Sequence, residues 1–181
     1  MGIWDGKEQA LIEMIDCRAV MDDQMSLVAG MEEQFKGWGS RPLWVSGMDV
    51  TDDSSDWAHI CGGAEAIPST SGRTLQHTAS NGGGGYVAIW NLTTRTLTSA
   101  HVTRETPQSI CCREGNLVTA ANEGVVSIWN RFPELKRCGR TWCTSPSAYT
   151  LALQNTSLSG RQPLLAVAGT GSTLDVLQDL G

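Results

Sequence analysis

One short pattern recurs along this chain of 181 residues, and it limits the fold more than any other feature. The pattern is an apolar residue, then tryptophan, then Asp or Asn. The second and third copies lie 39 positions apart, and the first two lie 86 apart. A period near 40 residues indicates a chain built from repeated units that bury their apolar faces against one another. The repeat-end pairs are Trp4-Asp5, Trp90-Asn91 and Trp129-Asn130.

Short apolar runs separated by turn residues fill the sequence between these pairs. Such runs, rich in Val, Ile, Leu, Thr and Trp, are typical of strands when Gly, Asn, Asp and Ser divide them. Strands at this spacing predict a β-propeller blade for each repeat. The predicted strands are Leu11–Ile15, Trp44–Val50, Trp57–Cys61, Tyr86–Trp90, Thr96–Ala100, Ser109–Cys112, Asn116–Ala120, Val125–Trp129, Leu135–Cys138, Tyr149–Gln154, Leu164–Ala168 and Leu174–Leu177.

The spacing of the repeats also predicts how the chain is divided. Two segments lengthen the distance between Trp4 and Trp90, the tryptophans of the first two repeat copies. The second segment is rich in Ser, Thr and Gly, so it cannot bury enough apolar area to fold alone. Met21–Phe35 suits a short helix or a plain loop equally. The predicted units are the end of a truncated blade (1–16), an insertion or linker (17–43), a blade (44–100) with a disordered insertion (63–85), a blade (101–140), and a final blade without its Trp and last strand (141–181).

The blade from His101 to Asn130 is the clearest and resembles a WD40 repeat. In that family a His, a Ser or Thr, an Asp and a Trp form a hydrogen-bonded relay within each blade. His101, Thr119 and Trp129 match the first, second and fourth of these positions, and Glu123 stands in place of the Asp. Asn122-Glu123-Gly124 is predicted to turn the chain, with Gly124 at positive φ. We therefore expect an incomplete WD40-type β-propeller of about three to four blades, a fragment of a longer propeller.

A narrower resemblance follows from the order of several segments. Together they resemble the C-terminal portion of the THO complex subunit 6 family, whose members are WD40-repeat proteins. The likeness covers most of 44–181 outside the Gly-rich insertion, and also 3–15. The segments are Trp44–Val50, Asp56–Trp57 with Cys61–Gly63, Val87–Leu92, Ala120 to Trp129, and Val167–Gly169 with Leu174–Val176.

The resemblance implies a function as well as a fold. It implies a non-enzymatic scaffold subunit of the nuclear THO/TREX complex, which supports assembly, mRNA processing and mRNA export. The partners would be other THO subunits, coiled-coil subunits among them, with RNA contacted only indirectly. An alternative is a substrate receptor of a cullin-type ubiquitin ligase, in which a blade usually ends in Trp-Asp-x-Arg; Trp4–Lys7 is a near match to that motif. A WD40 module with unrelated partners is the third alternative.

Charge and composition exclude several other functions. The net charge of −6 repels phosphate backbones, so direct non-specific binding of nucleic acid is not expected. No apolar stretch is long enough to cross a bilayer. The three histidines form no Ser-His-Asp arrangement, and the Gly-rich run has no following Lys-Ser/Thr, so we expect no enzyme and no cofactor. The six cysteines are expected to be reduced and intracellular, without a metal site.

The seven tryptophans and a group of aspartates are the remaining candidate contacts. Trp38 and Trp142 fall in predicted loops and are tentative partner contacts, since aromatic side chains anchor interfaces. Trp44 and Trp57 begin strands and are predicted to lie in the core. Four aspartates, Asp49, Asp52, Asp53 and Asp56, are predicted to form a solvated turn between two strands.

Overall fold

The computed structural model describes residues 2–5, 7, 10–14, 16, 19, 43–50, 56–64, 84–113, 115–154 and 164–178. These residues form thirteen strands, and none of them forms a helix long and apolar enough to span a membrane. The strands are β1 (Gly2–Asp5), β2 (Ala10–Met14), β3 (Leu43–Val50), β4 (Trp57–Ala64), β5 (Gly85–Asn91), β6 (Thr96–Thr103), β7 (Pro107–Arg113), β8 (Asn116–Ala121), β9 (Val125–Asn130), β10 (Lys136–Trp142), β11 (Ala148–Gln154), β12 (Leu164–Gly169) and β13 (Leu174–Leu177).

The strands pair antiparallel in the order in which they follow along the chain. β3 to β6 form the first sheet, β7 to β10 the second and β11 to β13 the third, while β1 pairs with β2 alone. Each of these three sheets is an up-and-down meander, because every strand pairs with the strand that follows it along the chain. In the second sheet, for example, Asn122–Gly124 joins β8 to β9, with Glu123 at φ 63° and Gly124 at φ 66°. The predicted turn and its positive-φ glycine are confirmed.

The sheets stack face to face, and apolar side chains fill the space between them. The side chains of β9 alternate between the two spaces. Trp129 faces the first sheet, whereas Val126 and Ile128 face the third. Buried side chains between the first and second sheets are Cys61, Val87, Ile89, Ile110, Leu117, Trp129 and Leu135. Those between the second and third sheets are Val118, Ala120, Val126, Ile128, Ala148, Leu165 and Val167.

The first strand of each sheet carries a β-bulge in a corresponding place. The register shifts at Ser46 in β3, at Gln108 in β7 and at Tyr149 in β11, each against the second strand of its sheet. A bulge bends its strand and increases the local twist. The same irregularity at the same point shows that the three sheets share one geometry.

All twelve predicted strands are present, with ends that differ by a few residues. The bounds of the predicted insertion 63–85 need correction, because Gly63 and Ala64 belong to β4 and Gly85 belongs to β5. Composition alone predicts a loop for these glycines. The structure shows a packing reason for one of them, since a Cβ at Gly85 would lie 2.2 Å from Cδ of Pro107. Met21–Phe35 lies outside the described residues.

Candidate functional site

Three of the predicted relay residues lie close together, but they come from two sheets. The prediction that the second blade begins at His101 is wrong, because His101 lies on β6 of the first sheet, whereas Thr119 and Trp129 belong to the second. The indole Nε1 of Trp129 donates a hydrogen bond of 2.9 Å to Oγ1 of Thr119, and both side chains are buried. The imidazole of His101 contacts the Trp129 ring edge to face, with ring centroids 5.2 Å apart. Glu123 is exposed in the turn after β8 and takes no part in this cluster. The structure thus brings three of the four residues together and leaves the carboxylate outside.

Burial and charge act together on the His101 imidazole. Removal from solvent lowers its pKa below the ordinary value of 6.5, the Arg137 guanidinium lowers it further, and Glu134 opposes the change. The neutral ring is therefore the form that suits this site. A histidine whose pKa is lower in the folded chain stabilises the fold above pH 6.5 and loses that contribution as the pH falls.

This gives a pH-dependent prediction. Between about pH 7.5 and pH 5.5, the free energy of unfolding of the wild type is expected to fall more steeply than that of a His101→Gln variant. Denaturant titrations at several pH values measure both slopes. Parallel slopes for the two proteins would show that His101 does not titrate differently on folding.

The first sheet repeats this geometry without the hydroxyl. In the second sheet Trp129 pairs with Leu117, and Thr119 lies two residues further along β8. In the first sheet Trp90 pairs with Ala58, so Ile60 occupies the place of Thr119. The indole Nε1 of Trp90 is buried and has no hydrogen-bond partner among the described residues. The indole-to-hydroxyl hydrogen bond is therefore present in the second sheet, and its counterpart in the first sheet is missing because Ile60 has no acceptor.

A matched set of substitutions tests this difference. Thr119→Val is expected to destabilise the fold by about 1–3 kcal/mol, because it leaves the buried Trp129 N–H without an acceptor. Ile60→Thr supplies Trp90 with an acceptor. Its free energy of unfolding is therefore expected to lie within about 0.5 kcal/mol of that of Ile60→Val, because Thr and Val side chains have the same shape. Val118→Thr is the control, since it buries a hydroxyl on the opposite face of the second sheet, at a cost of about 1–3 kcal/mol.

Thermal and denaturant unfolding of these four variants measures the differences. Two losses of unfolding free energy are compared: that of Ile60→Thr relative to Ile60→Val, and that of Val118→Thr relative to the wild type. If the two losses were equal, the interpretation would be contradicted.

The other repeat-end residues lie at strand ends. Asn91 Oδ1 accepts a hydrogen bond of 2.8 Å from the Thr94 amide and so closes the turn between β5 and β6. Asn130 is exposed at the end of β9. Trp4 and Asp5 lie in β1, with their side chains outside the described residues. None of these positions brings together groups that could carry out a reaction.

The two tentative partner contacts have different outcomes. Trp38 lies outside the described residues. Trp142 ends β10 rather than lying in a loop; its side chain is 61% exposed, and the Arg140 guanidinium stacks 4.9 Å from its ring.

The core prediction for Trp44 is wrong, because Trp44 is 44% exposed on β3, which is the edge strand of its sheet. Trp57 is half-buried and packs edge to face against Phe132.

Two carboxylates that link elements were not identified from the sequence. The prediction that Asp49 lies in a solvated turn is wrong, because Asp49 is in β3 and its Oδ2 accepts a 2.6 Å hydrogen bond from the Cys112 amide in β7. Glu105 is buried between β6 and β7 and pairs with Arg140 at 2.6 Å and with Arg137 at 3.4 Å. A bulge between Arg137 and Gly139 places both arginines on one face, which strict alternation would forbid. Only the glycine hints at that bulge in the sequence.

The cysteines of the described residues are all free thiols. Burial raises the pKa of Cys61 to about 11, against the opposing hydrogen bonds from Ser46 and Gly47, so this thiol stays protonated at neutral pH. Burial also raises the pKa of Cys143. Within the described part of the chain, no three His, Cys, Asp or Glu residues are grouped so that they could hold a metal ion. Asp52 and Asp53 lie outside it.

No protein-family model and no curated protein sequence matches this chain. Among solved structures it is similar to Sqt1 of Saccharomyces cerevisiae, with a TM-score of 0.54 and 9% identity over 75% of this chain and 31% of Sqt1. It is also similar to the quinohemoprotein alcohol dehydrogenase ADHIIG of Pseudomonas putida HK5, with a TM-score of 0.44 and 11% identity over 91% of this chain and 26% of the enzyme. At that score the second likeness carries no structural argument.

The likeness to Sqt1, a WD40 protein, concerns the fold alone. Together with the three stacked antiparallel sheets it confirms the predicted all-β propeller class. Within the described residues the sheets do not close into a ring, as predicted for an incomplete propeller. The chain spans about a third of the length of Sqt1.

Proposed function

We propose that this chain is a non-enzymatic scaffold that holds other proteins together. The observation that carries the proposal is the stack of blade-like sheets, which are joined by buried apolar side chains and by the hydrogen bond from the Cys112 amide to Asp49. Sheets fixed in this way form a rigid body whose turns and outer strands remain at the surface. Rigid elements that present exposed edges suit protein binding, because little conformational entropy is lost when a partner docks.

The site chemistry supports binding over catalysis. The buried polar groups of the second sheet are used in holding the blade, as in the bond between Trp129 and Thr119. The imidazole of His101 rests on an indole ring, and the Cys61 thiol is buried and protonated. Neither arrangement provides an activated nucleophile with a neighbouring base.

We further propose that the partners are subunits of the THO complex and that the chain acts in the nucleus. The order of the segments that resemble the THO complex subunit 6 family supports this proposal, and the propeller fold agrees with it. The role would be to support assembly of THO/TREX and thereby mRNA processing and export. Contact with RNA would be indirect, since the net charge is −6.

Affinity capture from nuclear extract tests the identity of the partners. The tagged full chain is expected to recover THO subunits, coiled-coil subunits among them, both before and after treatment with RNase. A Trp129→Ala variant, which should not hold the second blade together, serves as the control and should lose them. Recovery of cullin-ligase adaptors without THO subunits would favour the substrate-receptor alternative, and loss of THO subunits after RNase would contradict a direct protein scaffold.

A further inference from the structure

The last strand of the second sheet has an open edge. β10 pairs with β9 on one side, and its other side has no strand partner among the described residues. Such an edge presents unpaired backbone N–H and C=O groups to any extended chain that approaches it. β6 is the corresponding last strand of the first sheet, so the two edges can be compared directly.

The two edges differ sharply in charge. β10 reads KRCGRTW and carries three cations, whereas β6 reads TLTSAHVT and carries no Lys, Arg, Asp or Glu. The chain as a whole is acidic, at −6. A concentrated positive strand on an acidic protein creates a local field that favours negatively charged partners.

The cationic side chains of β10 are held in place by the fold. The buried Glu105 carboxylate pairs with both Arg137 and Arg140, and one negative charge leaves the pair with a net positive charge. Arg137 also lies 5.6 Å from the Trp129 ring, and Arg140 lies 4.9 Å from the Trp142 ring. Because each guanidinium has five N–H donors, donors remain for a further carboxylate.

The simplest alternative explanation for the cations of β10 is that they prevent this edge from pairing with a second copy of the chain, since proteins often place charges on edge strands for that purpose. It accounts for the exposed Lys136 but not for Trp142, whose ring is 61% exposed at the end of the same strand. An exposed indole promotes contact, and tryptophan and arginine are the residues most enriched at binding hot spots. The combination therefore indicates a surface that binds.

We propose that β10 is a docking edge for an acidic, extended protein segment that adds to the second sheet as a further strand. Its backbone would pair with the open edge, its carboxylates would face Arg137 and Arg140, and an apolar side chain would pack on Trp142, which shares that face. Lys136 would add positive charge from the opposite face of the strand. This proposal rests on the scaffold function proposed above and names a surface and a partner chemistry for it. A peptide is favoured over a nucleic acid because its alternating N–H and C=O groups match the spacing of the edge backbone groups and can pair with them as a ladder.

The test uses the full chain and a synthetic peptide of about ten residues that alternates Glu with Val and contains one Phe, with fluorescence anisotropy as the readout. Binding is expected at about 50 mM salt and should weaken about tenfold at 500 mM. The variant Lys136→Glu/Trp142→Ala, which alters no residue bonded to Glu105, should weaken binding about tenfold. Thr98→Glu on the β6 edge is the matched control and should leave binding unchanged.

Three results would overturn the proposal: equal weakening by the β6 control, equal binding of a peptide with Lys in place of Glu, or stronger binding of a poly-uridine RNA. Capture of THO subunits separates this proposal from the proposed function. If the β10 variant binds the peptide weakly yet captures THO subunits as the wild type does, the docking edge does not serve that complex and the scaffold proposal stands. If the wild type captures no THO subunit, the proposed partners are wrong whatever the peptide does.

Discussion

Trp129→Ala is expected to destabilise the fold by about 3–5 kcal/mol, which is the usual cost of removing a buried large aromatic side chain. Trp129 is buried between the first and second sheets, where it packs with Leu117 and donates to Thr119. Its removal leaves a cavity at the sheet interface and an unpaired hydroxyl. Chemical denaturation followed by circular dichroism measures the loss.

Trp142→Ala is the matched control for this prediction, because the same side chain is removed from an exposed position on a neighbouring strand. Its cost is expected to be below about 0.5 kcal/mol. Similar losses of stability for the two variants would contradict the burial of Trp129 and the exposure of Trp142 in the folded chain.

Gly62→Ala is expected to cost about 3 kcal/mol, through a clash that cannot relax without moving a strand. A Cβ at Gly62 would lie 1.8 Å from the carbonyl oxygen of Trp44, which also accepts a hydrogen bond from the Tyr86 hydroxyl. The strands β3 and β4 would have to separate at this point. Urea denaturation gives the change in the free energy of unfolding.

The control for this prediction is Gly139→Ala in β10. There the nearest atom to the new Cβ is Cδ1 of Ile128 at 3.1 Å, the end of a side chain that can shift. The expected cost is below about 1 kcal/mol. If Gly62→Ala proves no more costly than Gly139→Ala, the close approach of β3 to β4 is not part of the folded chain.

Much of the fold could be predicted from the sequence because its signals are local. Alternation such as that of Val126 and Ile128 against Trp129 follows directly from the strand period of two. The turn at Glu123–Gly124 follows from the conformational freedom of glycine. Strands rich in glycine were harder to predict, because Gly63 and Gly85 are required by close neighbours that are distant in sequence.

The surface features could not be predicted because they depend on register and on long-range pairing. Arg137 and Arg140 share a face only because of a bulge, and the Glu105 that joins them lies in the link before the second sheet. The partner of Asp49 is an amide 63 residues away. The missing acceptor for Trp90 depends on the register of β4 against β5, which places Ile60 where the second sheet has Thr119.

Direct binding between purified components tests the central claim that this chain is a scaffold for THO subunits. The full chain is mixed with purified coiled-coil THO subunits, without RNA, and passed through size-exclusion chromatography with light scattering. We predict one earlier peak whose mass equals the sum of the components, and its loss when the chain carries Trp129→Ala. Separate elution of the folded wild-type chain and the THO subunits at micromolar concentrations would contradict the claim.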